Sequence, residues 1–203
     1  MKPILFNAEM VRAILDGRKT TTRRIIKPQP TDQWTKPTYI EADRTWREGW
    51  ARVIKPPYQP GDVLYVRETW GITGFDPESN EMFVEYKAGG ANANIVLPEK
   101  KFQKYYEGMS EAEPDWHPSI HMPKEAARIF LRVVRVRPER LQNITPEECT
   151  EEGAGVCNTT ALFQAIWNST IRNSDFYKYG WAANPWVWNI EFERIGRETE
   201  KTT

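Results

Sequence analysis

The stretch "IFLRVVRVRPERLQNITPEECTEEG", Ile129–Gly153, decides the fold because two periodicities meet in it. Ile129, Leu131, Val133 and Arg135 alternate with Phe130, Arg132, Val134 and Val136, which is the period of a strand, and Pro138 ends regular pairing. Thr145, Pro146 and Glu148 then spell a capping box with proline at the first helical position, so a short helix starts there. The run "TTALFQAIWNSTI" continues as an amphipathic helix, with Leu162, Phe163, Ile166, Trp167 and Ile171 on one face. After a turn at "AANP", "WVWNIEFERI" closes the chain as a strand.

Upstream, "NAEMVRAILDG" predicts a helix capped by Asn7, with Met10, Val11, Ile14 and Leu15 facing inward and Gly17 as its left-handed stop. The β-branched "KTTTRRII" predicts a strand. "YQPGDVLYVRETW" predicts a turn and a strand over 63–69 with Leu64 and Val66 on one face, and "NEMFVEYKAGG" predicts another, reached through a hairpin at "DPESN". Prolines at 28, 30, 37, 56, 57 and 60 mark an irregular insertion holding one short strand. Residues 89–115 show no sustained period and predict a second insertion with at most a short helix. The fold class expected is α+β with a small barrel. Residues 1–198 read as one domain, followed by a flexible tail at 199–203.

Lys plus Arg and Asp plus Glu are equal at 28 each, so attraction for a polyanion has to come from a local patch. Two cysteines, Cys149 and Cys157, are too few for a disulfide framework or a zinc site, which fits a reduced, cytoplasmic setting. No run approaches the ~18 apolar residues of a membrane span, and the N-terminus lacks a signal-peptide core, so a soluble intracellular protein is expected. His117 and His121 have a metal-binding spacing only on a helix, and Pro118 between them speaks against one. No metal or cofactor is called for, and the absence of a glycine-rich phosphate loop argues against P-loop and dinucleotide chemistry.

The segment "DGRKTTTRR", Asp16–Arg24, packs four cations and three threonines into seven positions after its glycine. Three readings compete: a solvated edge strand, a phosphate-gripping patch, and a site where a desolvated lysine activates a threonine hydroxyl. Simple alternation puts Lys19, Thr21 and Arg23 on one face and Thr20, Thr22 and Arg24 on the other. Lys19 and Thr22 can therefore meet only if the turn extends past Lys19. Nine tryptophans, most expected in the core, also supply candidate stacking surfaces at Trp46, Trp50, Trp70, Trp116, Trp181, Trp186 and Trp188.

Taken in order, "DGRKTTTRR", "PGDVLYV", "FLRVVRVRPERLQNITPEECTEEG" and "WVWNIEFE" resemble the ASCH domain family, whose fold is similar to the PUA pseudo-barrel. The "WHPSIHMPKEAARIFLRV" block is similar to phage and prophage members. The resemblance implies a small mixed β-barrel of about five to six strands with flanking short helices, with insertions around 28–57 and 71–115, and binding of RNA or nucleotide-like ligands in a cleft. It also implies, by likeness to the compact amidohydrolases that deacetylate N4-acetylcytidine, a catalytic set of Lys19, Thr22 and Glu152. A ligand there would meet Arg18, Thr20, Arg23 and Arg24, with Trp70 and Trp116 as stacking surfaces. The paired Arg23 and Arg24 replace an apolar residue followed by one arginine in those enzymes, which favours a ligand bearing phosphate. Three functions follow as expectations: an RNA- or nucleotide-binding module, an amidohydrolase (or a ribonuclease), and a phage structural or interaction protein.

Overall fold

The computed structural model describes residues 1–30, 37–40, 45–48, 52–90, 92–109, 114–155 and 159–196. Trp50, Cys157 and the tail at 199–203 lie outside them. The fold is mixed α+β, mostly sheet with short helices. In chain order it runs β1 (Lys2–Leu5), α1 (Ala8–Leu15), β2 (Thr21–Ile25), β3 (Thr38–Ile40), β4 (Thr45–Glu48), β5 (Arg52–Ile54), β6 (Val63–Arg67) and β7 (Trp70–Asp76). It continues with β8 (Glu81–Tyr86), β9 (Ala93–Val96), α2 (Glu99–Glu107), β10 (Asp115–His117), β11 (Phe130–Arg140), α3 (Pro146–Glu151), α4 (Thr159–Ser169), α5 (Phe176–Tyr179) and β12 (Trp186–Ile195). Among the described residues no helix is long and apolar enough to cross a membrane.

The chain forms two compact units, one from Met1–Asp16, Val63–Leu131 and the segment from Arg194, the other from Gly17–Asp62 and Arg132–Glu193. In the first unit β1 pairs in parallel with β6, burying Ile4, Leu64 and Val66. Asn7 caps α1 by accepting from the Met10 amide at 2.9 Å, and Val11, Ala13 and Ile14 face inward. A four-stranded sheet of order β10-β7-β8-β9 carries this unit's main core, with Trp70, Ile72, Met82, Val84 and Phe102 fully packed. Gly71 is required on β7, because a Cβ there would lie 2.9 Å from the Pro114 side chain. Glu68, buried at 1% exposure, is clasped by Arg128 through two hydrogen bonds of 2.9 Å.

Much of 71–115 is thus regular structure. The sequence reading missed β9 because polar Asn94 and Val96 point outward while Ile95 and Leu97 turn inward over too short a span to register as a period. The hairpin expected at "DPESN" joins β7 to β8, while the two glycines of β7 dilute its strand signal and leave its extent unread in the sequence.

In the second unit β12 pairs antiparallel with β2, Asn189 opposite Arg23 and Glu191 opposite Thr21, with β11 on the other side of β12. A separate antiparallel meander, β3-β4-β5, occupies the stretch read as an irregular insertion with one strand. The capping box of α3 forms as expected, the Thr145 hydroxyl accepting from the Glu148 amide and the Glu148 carboxylate from the Thr145 amide. α3 and α4 close a core of Leu141, Ile144, Cys149, Phe163, Trp167 and Val187. Of the face expected on α4, Phe163 and Trp167 are buried and Leu162 is 44% exposed.

Candidate functional site

Gly17 adopts φ +73°, ending α1 in the left-handed turn that its sequence predicts. The turn does extend past Lys19, since β2 begins only at Thr21. Lys19 is thereby freed from the alternation, and its side chain folds into the second unit with 0% exposure. Its ammonium donates to the Glu152 carboxylate at 2.7 Å, to the Glu152 carbonyl at 2.8 Å and to the Thr21 carbonyl at 2.7 Å. Three N–H donors meet three acceptors, which satisfies the charged form. Burial nevertheless lowers the lysine's pKa from its ordinary 10.5, and the neighbouring Glu152 offsets only part of that effect.

Arg23 lies on the same side of β2 and is equally enclosed, its side chain 0% exposed. Its Nε donates to Glu139 at 2.7 Å, Nη1 to Glu152 at 3.2 Å and Nη2 to Glu148 at 2.8 Å. Arg137 on β11 mirrors it. Its Nε donates to the second oxygen of Glu139 at 3.2 Å, Nη2 to the second oxygen of Glu148, and Nη1 to Glu191 at 2.9 Å. Glu139 and Glu148 each hand one oxygen to each arginine, so the two guanidinium groups are bridged by two carboxylates. These bonds are charge-assisted, and together they outweigh the desolvation of Arg137, whose pKa is raised by Glu139, Glu148 and Glu191 although burial opposes it.

Two buried atoms at this face, Thr21 Oγ1 and Asn189 Oδ1, have no hydrogen-bond partner. An unpaired buried polar atom is costly, so an added polar group would be most stabilised beside them.

The residues singled out from sequence are distributed as follows. Lys19, Arg23 and Glu152 converge. Thr22 is buried at 4% exposure but forms no side-chain hydrogen bond to Lys19 or Glu152. Its cross-strand partner on β12 is Ile190. Arg23 is enclosed by carboxylates, so the expectation that it grips phosphate gives way to a role in holding the network together. Burial lowers the pKa of Arg24, against the opposing effect of Tyr58 and Glu152. Arg18 is exposed and Thr20 is held by its backbone, its amide donating to the Glu151 carbonyl at 2.9 Å.

Trp70, with 0% exposure, is core of the first unit, where it stacks on His117 at 4.9 Å. Its ring has no surface to offer a base. Trp116 is half-buried in that unit, with Lys87 above its ring at 4.7 Å. Trp186 and Trp188 are buried as well. Edge position was foreseen for the basic strand and β2 is terminal in its sheet, yet Thr21, Thr22 and Arg23 are all buried, so it is not a solvated edge.

Sequence reasoning passed over Arg137, Glu139, Glu148, Glu191 and Tyr39. The alternation of β11 places Arg135, Arg137 and Glu139 on one side, and that spacing was the available signal. An open cleft of about 660 Å³ in the second unit is lined by Tyr39, Trp46, Gln59, Arg135, Val136 and Arg137, among others. The size suits a small ligand. Arg137 belongs to both cleft and network, so the motif residues form the support behind one wall of the cleft. Among the described residues no group of three or more His, Cys, Asp or Glu side chains is placed to hold a metal ion. Compared with protein-family models, curated proteins and solved structures, the chain matches none, so its functional reading rests on this geometry and on the resemblance of its motif blocks.

Proposed function

We propose that the chain is an ASCH-type protein that binds RNA or a nucleotide in the second unit. The observation that carries this reading is the convergence of Lys19, Arg23 and Glu152 on a polar network whose outer member, Arg137, lines an open cleft. A PUA-like barrel of five to six strands and a cytoplasmic setting belong to the same proposal. The enclosed part of the network, Lys19 and Arg23, does not grip the ligand itself. It fixes Arg137 so that its remaining donors stand at the cleft without the entropy a free arginine loses on binding. Fluorescence polarisation with labelled short RNA and with labelled nucleotides tests the reading. Binding by the wild type, weakened at least severalfold in Arg137→Ala, is expected. Failure of the folded protein to bind any of them would sink it.

A second reading, deacylation of N4-acylated cytosine, is favoured by one observation, the 2.7 Å pair between Lys19 and Glu152 with a lysine of lowered pKa. It asks the Thr22 hydroxyl to attack the acyl carbon, Lys19 to take its proton and Glu152 to pass a proton to the leaving amine. The Thr22 hydroxyl is hydrogen-bonded to neither Lys19 nor Glu152, so the reaction would need it brought to the Lys19 ammonium. Incubation with N4-acetylcytidine should release cytidine if the reading holds, and Lys19→Met should abolish that release. Turnover that persists in Lys19→Met removes these roles.

A further inference from the structure

The cleft in the second unit has a chemistry of its own, and it narrows the ligand class. From Lys19 the ion pairs run without interruption through Glu152, Arg23, Glu139 and Glu148, Arg137 and Glu191 to Arg135. Four cations face four carboxylates along this chain. Lys19 and Arg23 are enclosed, Arg137 is bound to three carboxylates, and Arg135 is 63% exposed with its Glu191 contact stretched to 3.9 Å. Arg135 is therefore the member that can exchange a loose partner for a ligand anion. A second or third negative charge would instead face Glu191, itself 30% exposed, since Lys19, Arg23 and Arg137, the other cations named in this network, are already paired with carboxylates.

On the aromatic side, Trp46 is braced edge-on by buried Trp188, ring centroids 5.9 Å apart and planes at 63°. Tyr39, 37% exposed, leans on Trp46 at 5.3 Å and 53°. These rings are too close and too tilted to admit a third ring between them. They offer instead a fixed aromatic wall on which one flat heterocycle can stack, next to the Gln59 amide and the apolar side of Val136.

We propose that this cleft is a single-nucleotide subsite: one nucleobase against the Tyr39–Trp46 wall and one phosphate on Arg135, the nucleotide being free or a unit of a strand. The inference rests on the nucleotide-binding reading above and limits it to a ligand with one phosphate at this position, which excludes polyphosphates. Three of the residues, Tyr39, Trp46 and Gln59, come from the proline-rich segment before β6 and its flank.

Isothermal titration of the full chain against the four ribonucleosides, their 5′-monophosphates, their 5′-triphosphates and a short oligoribonucleotide tests this. At least one monophosphate, or the oligoribonucleotide, should bind. Arg135→Ala should weaken that binding roughly tenfold while leaving the matching nucleoside unchanged, and Tyr39→Ser should weaken both. The triphosphate should bind no tighter than the monophosphate. Both side chains are partly solvated, and circular dichroism of each variant verifies that it is folded. Affinity that climbs from mono- to triphosphate overturns the single-charge limit. Ligand binding that neither variant disturbs overturns the assignment to this cleft while leaving the nucleotide reading standing. Absence of binding across the whole panel overturns both. Monophosphate binding identifies the free nucleotide as the ligand, and binding of the oligoribonucleotide alone identifies a strand.

Discussion

Lys19 is a cation held in an interior that disfavours its charge. The unfolded chain keeps the ordinary pKa of 10.5, and the folded chain holds the group below it. Between those two values the unfolded state binds more protons, so this group's contribution to stability rises with pH through that window, by at most about 1.4 kcal/mol per pH unit. The charged lysine is thus a net cost below the window, relieved as it deprotonates. Urea midpoints of the wild type and Lys19→Met, followed from pH 8 to pH 11, measure it. The difference between the two proteins should shift in favour of the wild type as pH rises. A constant difference would mean that Glu152 compensates Lys19 in full. Taking the difference also cancels other groups that titrate in the range, among them Tyr58, whose pKa burial raises.

At the scale of elements, α3 ties local structure to the site. Thr145→Ala removes an N-cap and should cost about 1 kcal/mol of stability. Glu148→Ala removes the reciprocal cap and also strands Arg23 and Arg137 without one of their shared carboxylates, which should cost on the order of 3–5 kcal/mol. Denaturant unfolding of the two variants compares these losses, and equal costs would show that the ion network contributes nothing beyond the cap. The same element shows where sequence legibility ends. The capping box could be read because Thr145, Pro146 and Glu148 act within one turn, and β11 could be read because its alternation is long. Lys19 and Glu152 could be paired only through the resemblance of motif blocks, since 133 positions separate them. The link from Arg23 to Glu139 depends on how β2, β12 and β11 align, and strand register is decided by tertiary packing. That register turned Arg23 from an expected phosphate ligand into the centre of an ion network. It also set Thr22 opposite Ile190 of β12.

For the whole molecule, charge balance sets the kind of association that is open to it. With 28 basic and 28 acidic residues the chain has no long-range pull on a polyanion. The salt dependence of ligand binding should accordingly be shallow, with log K against log salt falling at a slope of about −1 for one phosphate contact. Titrations between low and physiological salt measure it directly. A slope several times steeper would reveal an extended phosphate track on a surface other than the cleft. The tryptophans follow the same division of labour. Trp70, Trp186 and Trp188 are interior, and Trp46, braced by one of them, is turned to the cleft.

The carboxylate of Glu148 accepts from the Thr145 amide, from Arg23 and from Arg137 at once. The first turn of α3, the nearby β11 and the distant β2 therefore converge on a single functional group. Such a hub couples the assembly of this region, because the Glu148 carboxylate has all its donors only after both strands have arrived. It also ties Arg23 and Arg137 to one partner: replacing either leaves part of the Glu148 carboxylate without its donor, whereas the Thr145 donor is backbone and survives a change of side chain.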